Sequence, residues 1–272
     1  MKKLLIAAQI YSVREEAEHD LLAVLKQIKE IGYDGVELAG FYNHSPAEVK
    51  AMLTETGLTP ISAHVSMHEW ADDPAKTADT YRDIGCGYAA VPYLSETQRP
   101  GGAEYPQTLE LIREIGRLCN ERGMTLLYHN HDFEFITLPS GRRGLDELFL
   151  DVPAELLQTE LDTCWASVAG VDPVSYLRKY SGRSPLVHLK DYTGEKAENM
   201  YGLLDTEPKA VKRPSHFQFR AVGDGCQDWK AIWQACLDAG AEWVVVEQDE
   251  HEEYSPMEDM RRSLVFLRSL DR

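Results

Sequence analysis

Residues 105–131 read YPQTLELIREIGRLCNERGMTLLYHNH, and this stretch carries the pattern that decides the fold. Apolar residues recur at helical spacing over residues 105–122, and Gly123 follows at the position where a helix commonly ends. The next residues, Met124 to His131, form a short apolar run that closes in polar side chains, which is typical of a buried strand. The stretch therefore predicts a helix followed at once by a strand.

This helix-then-strand pattern recurs along the chain, which predicts a parallel sheet covered by helices. Strands are predicted at residues 4–10, 33–38, 58–64, 88–92, 124–131, 156–162, 185–190 and 242–247. Helices are predicted at residues 20–32 (with Asp20 as the cap), 45–57, 74–84, 105–122, 144–150, 228–240 and 255–270, and another begins at Asp172.

Eight such units in 272 residues favour an α/β fold of the (β/α)8 TIM-barrel type, and we expect a single domain over residues 1–272. A doubly wound open sheet is the alternative. Neither a G-x-G-x-x-G run after a strand nor a Walker A sequence is present, so no motif indicates a nucleotide-binding fold. Residues 191–220 are predicted to be a long irregular loop, either a lid or a solvated insertion.

The charge balance limits the expected partners. Asp and Glu number 45 and Lys and Arg 28, which gives a net charge of −17. Nucleic acids and anionic lipids attract clustered Lys and Arg, so we expect no nucleic-acid and no membrane partner. The chain has no run of 18 apolar residues and no clear signal peptide, so we expect a cytoplasmic protein.

Polar side chains end most of the predicted strands, and in a barrel the carboxyl ends of the strands meet at one mouth. These residues are Glu37, His64, His129, His131, Asp162, His188 and Glu247. A mixed imidazole and carboxylate ligand set is available in Asp162, His188, Glu247 and either His129 or His131. Each residue alone has an ordinary structural role, but the combination indicates a site for Mn²⁺, Co²⁺, Fe²⁺ or Zn²⁺ rather than Ca²⁺.

Several motifs make almost the whole chain resemble the xylose isomerase-like TIM-barrel superfamily. The branch in question is that of the sugar isomerases and epimerases, which is related to endonuclease IV (AP endonuclease family 2). The motifs are GVE at 35–37, SAH at 62–64, YHNHDFEF at 128–135, LDT at 161–163, HLKD at 188–191, GDG at 223–225 with DW at 228–229, and VEQD at 246–249. The inosose dehydratase and ketose 3-epimerase branches are the most similar.

This resemblance implies one divalent metal ion at the barrel mouth and no organic cofactor. In the ketose 3-epimerases, strands five to eight each supply one ligand, and the matching positions here are His129, Asp162, His188 and Glu247. His129 is a departure, because those epimerases have a glutamate there that also moves the substrate proton. The inosose dehydratases are similar to this chain in their His-rich fifth strand.

The implied activity is that of a sugar isomerase or epimerase acting on a keto-sugar or cyclitol. Such an enzyme removes a proton next to a carbonyl through a metal-stabilised enediolate. Glu247 is the candidate base, and His131 or Glu134 could supply the proton on the other side. Lys190 is expected to orient a hydroxyl or stabilise negative charge. The same intermediate allows dehydration or lyase chemistry on an inosose or a 3-keto-glycoside, which is the alternative.

Five residues are candidate substrate contacts: Glu37, His64, Trp70, Trp165 and Arg220. Trp70 and Trp165 are expected near the mouth, where an aromatic ring can stack on a sugar. No basic cluster or Gly-rich phosphate cradle is evident, so we expect an unphosphorylated sugar substrate. A non-catalytic sugar-binding barrel is the alternative of another class, because fold does not imply function. A homo-oligomer is left open.

Overall fold

The computed structural model describes residues 3–195 and 216–270. Ten strands are present in this part of the chain. They are β1 (Leu5–Gln9), β2 (Gly35–Leu38), β3 (Thr59–Ala63), β4 (Tyr88–Val91), β5 (Thr125–His129), β6 (Gln158–Asp162), β7 (Leu186–Leu189), β8 (Asp191–Thr193), β9 (Gln218–Arg220) and β10 (Trp243–Val246).

Eight of these strands form one parallel sheet that is nearly closed into a barrel. Its strand order is β3-β2-β1-β10-β7-β6-β5-β4. The two outer strands meet through a parallel bridge between His64 and Ala90, and the Val65 amide donates to the Ala90 carbonyl at 2.9 Å. The (β/α)8 barrel is therefore confirmed over the open sheet. That one domain spans residues 1–272 stays a prediction.

Helices surround the barrel. They are α1 (Arg14–Ile31), α2 (Pro46–Thr56), α3 (Met67–Asp72), α4 (Pro74–Ile84), α5 (Tyr105–Glu121), α6 (Gly144–Asp151), α7 (Thr163–Val168), α8 (Pro173–Lys179), α9 (Trp229–Ala239) and α10 (Pro256–Leu270). Short 3-10 helices cover Ile10–Val13 and Phe133–Phe135. None of the described helices is both long and apolar enough to cross a bilayer.

Helix α1 begins earlier than the sequence predicted. It starts at Arg14, and Asp20 has non-helical angles (φ −158°, ψ 87°) inside it. The Asp20 carboxylate still accepts a hydrogen bond from the Ala23 amide at 3.0 Å, which is the contact of a helix cap. Asp20 therefore restarts the helix at a kink, and the residues before it are helical as well.

The stretch predicted as one irregular loop, residues 191–220, is partly regular. Its two ends pair as the antiparallel strands β8 and β9, with Tyr192 opposite Phe219. Residues 196–215 lie outside the described part of the chain. The prediction of a lid or a solvated insertion concerns mainly these residues and stays a prediction. The ends of the stretch are joined next to strand β7, at the mouth of the barrel.

The barrel interior has an apolar layer and a polar layer. Six side chains from six strands form the apolar layer: Ala7, Ile61, Ala90, Leu127, Leu186 and Val245. Side chains alternate between the two faces of a strand, so the residue two positions later faces the same way. On four of these strands that residue is polar and buried: Gln9, His129, His188 and Glu247. The polar layer lies toward the carboxyl ends of the strands, where a barrel carries its chemistry.

Candidate metal centre and active site

Four side chains from four neighbouring strands converge at the mouth, and we call them the mouth cluster. They are His129, Asp162, His188 and Glu247, each at most 5% exposed. Their potential ligand atoms all lie within 4.8 Å of one another. These are the four residues that the sequence predicted as metal ligands, and the structure brings them together. Their role as ligands stays a prediction.

The donor atoms of the mouth cluster fit a divalent cation. The Oδ1 atom of Asp162 accepts from the Trp165 amide at 2.7 Å. The Oδ2 atom of Asp162 and Nδ1 of His129 are buried and find no hydrogen-bond partner among the described residues. Buried polar atoms are seldom left unpaired, so these two atoms indicate a missing partner. Imidazole and carboxylate together suit a transition-metal ion.

A second group of polar side chains lies against the mouth cluster, and we call it the inner cluster. It consists of Glu37, His64, His129, Glu160 and His188. His64 Nε2 lies 2.8 Å from Glu160 Oε2 and 3.3 Å from Glu37 Oε2. Nε2 of His188 lies 2.7 Å from Glu37 Oε2. The two clusters share His129 and His188, so they form one continuous polar site.

The His188 ring joins the two clusters through its two nitrogens. Its Nδ1 atom lies 3.0 Å from Glu247 Oε2, on the mouth side, whereas Nε2 faces Glu37. Burial disfavours the charged ring, but the carboxylates of Glu160 and Glu37 raise the pKa of His188 well above its usual value. For His129 the opposing carboxylate, Glu247, does not outweigh burial. Burial and the neighbouring His188 lower the pKa of His129 well below its usual value.

The pKa values of the two carboxyl groups in the inner cluster are shifted in opposite directions. Burial raises the pKa of Glu160 to about 7, and the nearby charge of Glu37 adds to this. Glu37 is equally buried, but His64 and His188 lower its pKa to about 2. Gln9 also donates to Glu37 from Nε2 at 2.7 Å. Unequal partners therefore keep Glu37 charged and favour the neutral form of Glu160.

Lys190 brings a buried positive charge to the mouth cluster. Its side chain is 2% exposed, and Nζ lies 2.9 Å from Asp249 and 3.0 Å from Glu247. The Oδ2 atom of Asp162 is 3.6 Å away. Burial disfavours the ammonium, but these carboxylates, Asp249 first, hold the pKa of Lys190 well above its usual value. Lys190 is therefore a fixed cation that can orient a polar group entering the mouth.

The predicted proton carriers His131 and Glu134 lie side by side next to the mouth cluster. Glu134 accepts hydrogen bonds from the Tyr128 hydroxyl at 2.7 Å and the His131 amide at 2.8 Å. Burial raises the pKa of Glu134 to about 7. Burial, followed by Lys190, lowers the pKa of His131 to about 3. The His131 ring contacts that of His129 edge-on, with 5.2 Å between centroids.

Comparison with known proteins places the fold in a family. The sequence model of the family described as xylose isomerase-like TIM barrel matches residues 25–270. The chain belongs to this family. An inosose dehydratase of Geobacillus kaustophilus is 26% identical over 250 residues, covering 84% of this chain and 79% of that protein.

Two solved structures share this xylose isomerase-like fold over nearly their full length. A sugar phosphate isomerase/epimerase from Parabacteroides distasonis has a TM-score of 0.78 and 21% identity, covering 99% of this chain and 95% of that one. The IOLI protein, which was solved with a zinc atom, has a TM-score of 0.69 and 15% identity, covering 98% of each chain.

The structure places three of the five predicted substrate contacts of this xylose isomerase-like barrel in or beside the polar site, and the other two elsewhere. Glu37 and His64 belong to the inner cluster, and Trp165 lies 5.2 Å from Lys190 Nζ. Trp70 was expected in a loop near the mouth, but it lies in α3 and is fully buried in the main hydrophobic core. Trp165 is also buried, at 2% exposure, so the role of either ring as a substrate contact stays a prediction.

The hydrogen bonds that Arg220 makes to described residues are within its own hairpin. Arg220 is on β9 and donates to Gln218 and to the Phe219 carbonyl. Its role as a substrate contact stays a prediction that these bonds do not support. The GDG motif at 223–225 contacts Asp191, which lies at the start of β8. The amides of Gly223 and Gly225 both donate to the Asp191 carboxylate.

Sequence reasoning missed three buried residues of the site. Glu160 precedes Asp162 by two positions on β6, so strand alternation places both on one face. Gln9 ends β1 and contacts Glu37. Asp191 anchors the loop after β9, and a Cβ on Gly225 would lie only 2.1 Å from its carboxylate. Alternation could have identified Glu160 and the strand end Gln9, whereas Asp191 was noted only as part of the HLKD motif, and no local pattern predicts the amides it binds.

Proposed function

We propose that the chain is a metal-dependent enzyme that removes a proton next to the carbonyl of a keto-sugar or cyclitol. The observation that carries this proposal is the mouth cluster, in which four buried donors converge and two of their atoms lack a hydrogen-bond partner among the described residues. The names of the relatives, an inosose dehydratase and a sugar phosphate isomerase/epimerase, agree with sugar chemistry.

His129, Asp162, His188 and Glu247 would hold the ion. When bound, a divalent ion supplies Lewis-acid polarisation of a carbonyl oxygen, which makes the neighbouring C–H acidic. The ion is Mn²⁺, Co²⁺, Fe²⁺ or Zn²⁺, because the donors are imidazole and carboxylate without thiolate. A zinc atom in the IOLI protein, which shares the fold, agrees with this choice.

The side chains around the ligands supply proton transfer and orientation. Glu247 accepts the carbon-bound proton through its carboxylate, which Lys190 and His188 keep ionised. Lys190 Nζ holds a substrate hydroxyl or a developing negative charge. His131 or Glu134 supplies a proton on the other side, and the charge states favour Glu134, because burial raises its pKa to about 7 whereas the pKa of His131 is lowered to about 3. Glu134 also holds the backbone of His131 by accepting a hydrogen bond from its amide at 2.8 Å.

Return of the proton to carbon makes the reaction an isomerisation or epimerisation. The second candidate is dehydration or lyase chemistry, in which the same carbanion expels a β-hydroxyl or β-glycosyl group. Two observations favour the second candidate. The sequence relative described above is an inosose dehydratase, and the mouth cluster contains one glutamate, Glu247, rather than two.

Metal analysis and solvent exchange test the proposal together. We would purify wild type, Asp162→Asn and the control Asp172→Asn, which changes an exposed helix cap in the same way. Wild type and the control are expected to hold at least one divalent ion and to exchange substrate C–H for deuterium in ²H₂O. Asp162→Asn should lower metal affinity by about 100-fold or more, because removal of an outer-sphere partner already costs about 10–100-fold.

The substrates are a panel of unphosphorylated ketoses, inososes and 3-keto-glycosides. A shifted stereocentre or carbonyl identifies the isomerase or epimerase, and loss of water or of the glycosyl group identifies the lyase. If wild type holds no metal and gains none on incubation, the proposed mechanism fails. Sugar binding by such metal-free protein would then favour a non-catalytic sugar-binding barrel.

A further inference from the structure

The loop after β1 is fixed to the loop after β10 by three hydrogen bonds. Ser12 Oγ accepts from the Gln248 amide at 3.0 Å, and the Ser12 carbonyl accepts from His251 Nε2 at 2.7 Å. Arg14 Nη1 donates to the Asp249 carbonyl at 2.9 Å. Both loops follow the carboxyl ends of their strands, which is the end that carries the chemistry of a barrel. The first loop is therefore held at the mouth, against the end of β10.

Tyr11 lies within this fixed loop, and its neighbours set its position. Its amide donates to Gln9 Oε1 at 3.0 Å, and Gln9 Nε2 in turn donates to Glu37 of the inner cluster at 2.7 Å. The Arg14 guanidinium covers one face of the Tyr11 ring, with Cζ 4.4 Å from the ring centroid. Arg14 Nη1 also donates to the Tyr11 carbonyl at 3.2 Å. Contacts to the backbone and to one ring face therefore hold Tyr11 in place.

The Tyr11 hydroxyl makes no hydrogen bond to any of the described residues. Burial raises the pKa of Tyr11, so the hydroxyl keeps its proton at neutral pH. Arg14 opposes this shift, and Asp249, Glu247 and Lys190 are also close enough to act on the pKa. A protonated phenol can donate a hydrogen bond and accept others. Tyr11 therefore brings an unused donor close to the proposed base and the buried ammonium.

Tyr11 also has accessible surface, unlike the two tryptophans that were predicted to contact a sugar. Trp70 is 0% exposed and Trp165 is 2% exposed, and the Trp165 ring packs on His131 with 5.3 Å between centroids. Tyr11 is only partly buried, and Arg14 covers one of its faces. A tyrosine combines an apolar ring with a polar tip. A sugar ring, which carries C–H groups and hydroxyls, matches such a side chain.

We propose that Tyr11 is a substrate-binding residue whose hydroxyl forms a hydrogen bond with a hydroxyl of the keto-sugar or cyclitol. The inference rests on the proposed function, because it adds a contact for the same substrate. Strand β1 lies across the barrel from β5, with three strands between them on either side. Tyr11 therefore approaches the substrate from the side opposite His131 and Glu134. Its hydrogen bond holds the reacting carbon between Glu247 and those two residues.

Tyr11→Phe tests this contact, because it removes the hydroxyl and keeps the ring. The matched control is Tyr88→Phe at the start of β4, the opposite end of the barrel, where a partly buried hydroxyl donates to Glu242 at 2.9 Å. Calorimetry would measure Kd for myo-inositol and xylitol, which carry hydroxyls but no carbonyl, and deuterium exchange would give KM and kcat. Tyr11→Phe should raise Kd and KM by about 2–10-fold, the effect of losing one hydrogen bond between neutral groups. The control should keep the wild-type values, and all three proteins should hold the same amount of metal.

The outcomes separate this contact from the proposed reaction. Unchanged Kd and KM in Tyr11→Phe, with deuterium exchange intact, would overturn the contact and leave the reaction standing. Weaker polyol binding in Tyr11→Phe, in protein that exchanges no C–H, would support the contact while refuting the reaction. If wild type binds none of the polyols or panel substrates, the contact and the sugar function both fail.

A measurement on wild type decides the question should Tyr11→Phe not fold. Tetranitromethane nitrates accessible tyrosines, and peptide mass spectrometry measures the rate at each one. A saturating concentration of the bound polyol should slow nitration of Tyr11 and leave that of the exposed Tyr254 unchanged. Equal slowing, or none at Tyr11, would overturn the contact.

Discussion

Asp191→Asn is expected to destabilise the protein by about 3–5 kcal/mol, because each oxygen of this buried carboxylate accepts three hydrogen bonds. The donors to Oδ1 are the backbone amides of Tyr192, Cys226 and Gln227, at 2.9, 3.1 and 3.4 Å. The donors to Oδ2 are the amides of Gly223 and Gly225, both at 3.0 Å, and Trp229 Nε1 at 2.6 Å. Asparagine turns one oxygen into an NH₂ group, which then faces three donors.

An unsatisfied buried donor costs about 1–3 kcal/mol, and movement of the loop recovers part of the sum over three donors. At about 2–3 °C per kcal/mol, Tm should fall by about 6–15 °C in a calorimetric scan at neutral pH. The control is Asp224→Asn in the same loop, whose carboxylate makes a surface ion pair with Arg262 at 2.8 Å. That pair is worth less than about 1 kcal/mol. If Asp191→Asn lowers Tm no more than this control, the anchoring argument is refuted.

Three further predictions concern Lys190, Glu134 and the pair of tryptophans Trp165 and Trp70. Lys190→Met leaves the surrounding carboxylates without their buried cation. The free energy of unfolding, measured in denaturant, should therefore fall by about 3–5 kcal/mol. A loss below about 1 kcal/mol would contradict this. Burial raises the pKa of Glu134 from 4.5 to about 7, so the folded protein keeps a proton that the unfolded chain releases, and stability falls as pH rises between these values. Glu134→Gln removes this dependence, so its Tm should rise relative to wild type between about pH 5 and pH 8, whereas parallel curves would refute the burial argument. Trp165→Leu should weaken sugar binding measured by calorimetry, because Trp165 lies beside Lys190. Trp70→Leu should lower Tm without changing sugar binding, because Trp70 packs in the core. Weaker sugar binding in Trp70→Leu and not in Trp165→Leu would put Trp70 at the mouth.

The barrel and most of the site could be predicted because both follow from local patterns. A helix that ends at a glycine before an apolar strand predicts a parallel sheet, and parallel strands gather their last residues at one mouth. His129, Asp162 and His188 each end a strand or come next to its end, so barrel geometry alone brings them together. Their sequence separation does not matter, because strand pairing sets the distance.

Other parts depend on contacts between distant residues. The pairing of β8 with β9 needs Asp191 to bind amides 32 to 36 positions later in the chain. No short-range pattern describes such a contact, so this stretch was predicted to be irregular. Trp70 was expected in a loop after β3, but it lies in α3 and packs into the main core, which depends on contacts that the local pattern does not describe.

Glu160 shows how a site can be deeper than its strand ends suggest. Taking only the last polar residue of each strand finds Asp162 and stops there, although alternation puts Glu160 on the same face one layer further in. The position of the His188 nitrogens is a different kind of information. Which nitrogen faces Glu247 and which faces Glu37 depends on the rotamer of the ring between two layers of carboxylates. The sequence predicts His188 as a ligand, but only the packed interior shows that its two nitrogens face different carboxylates, those of Glu247 and Glu37.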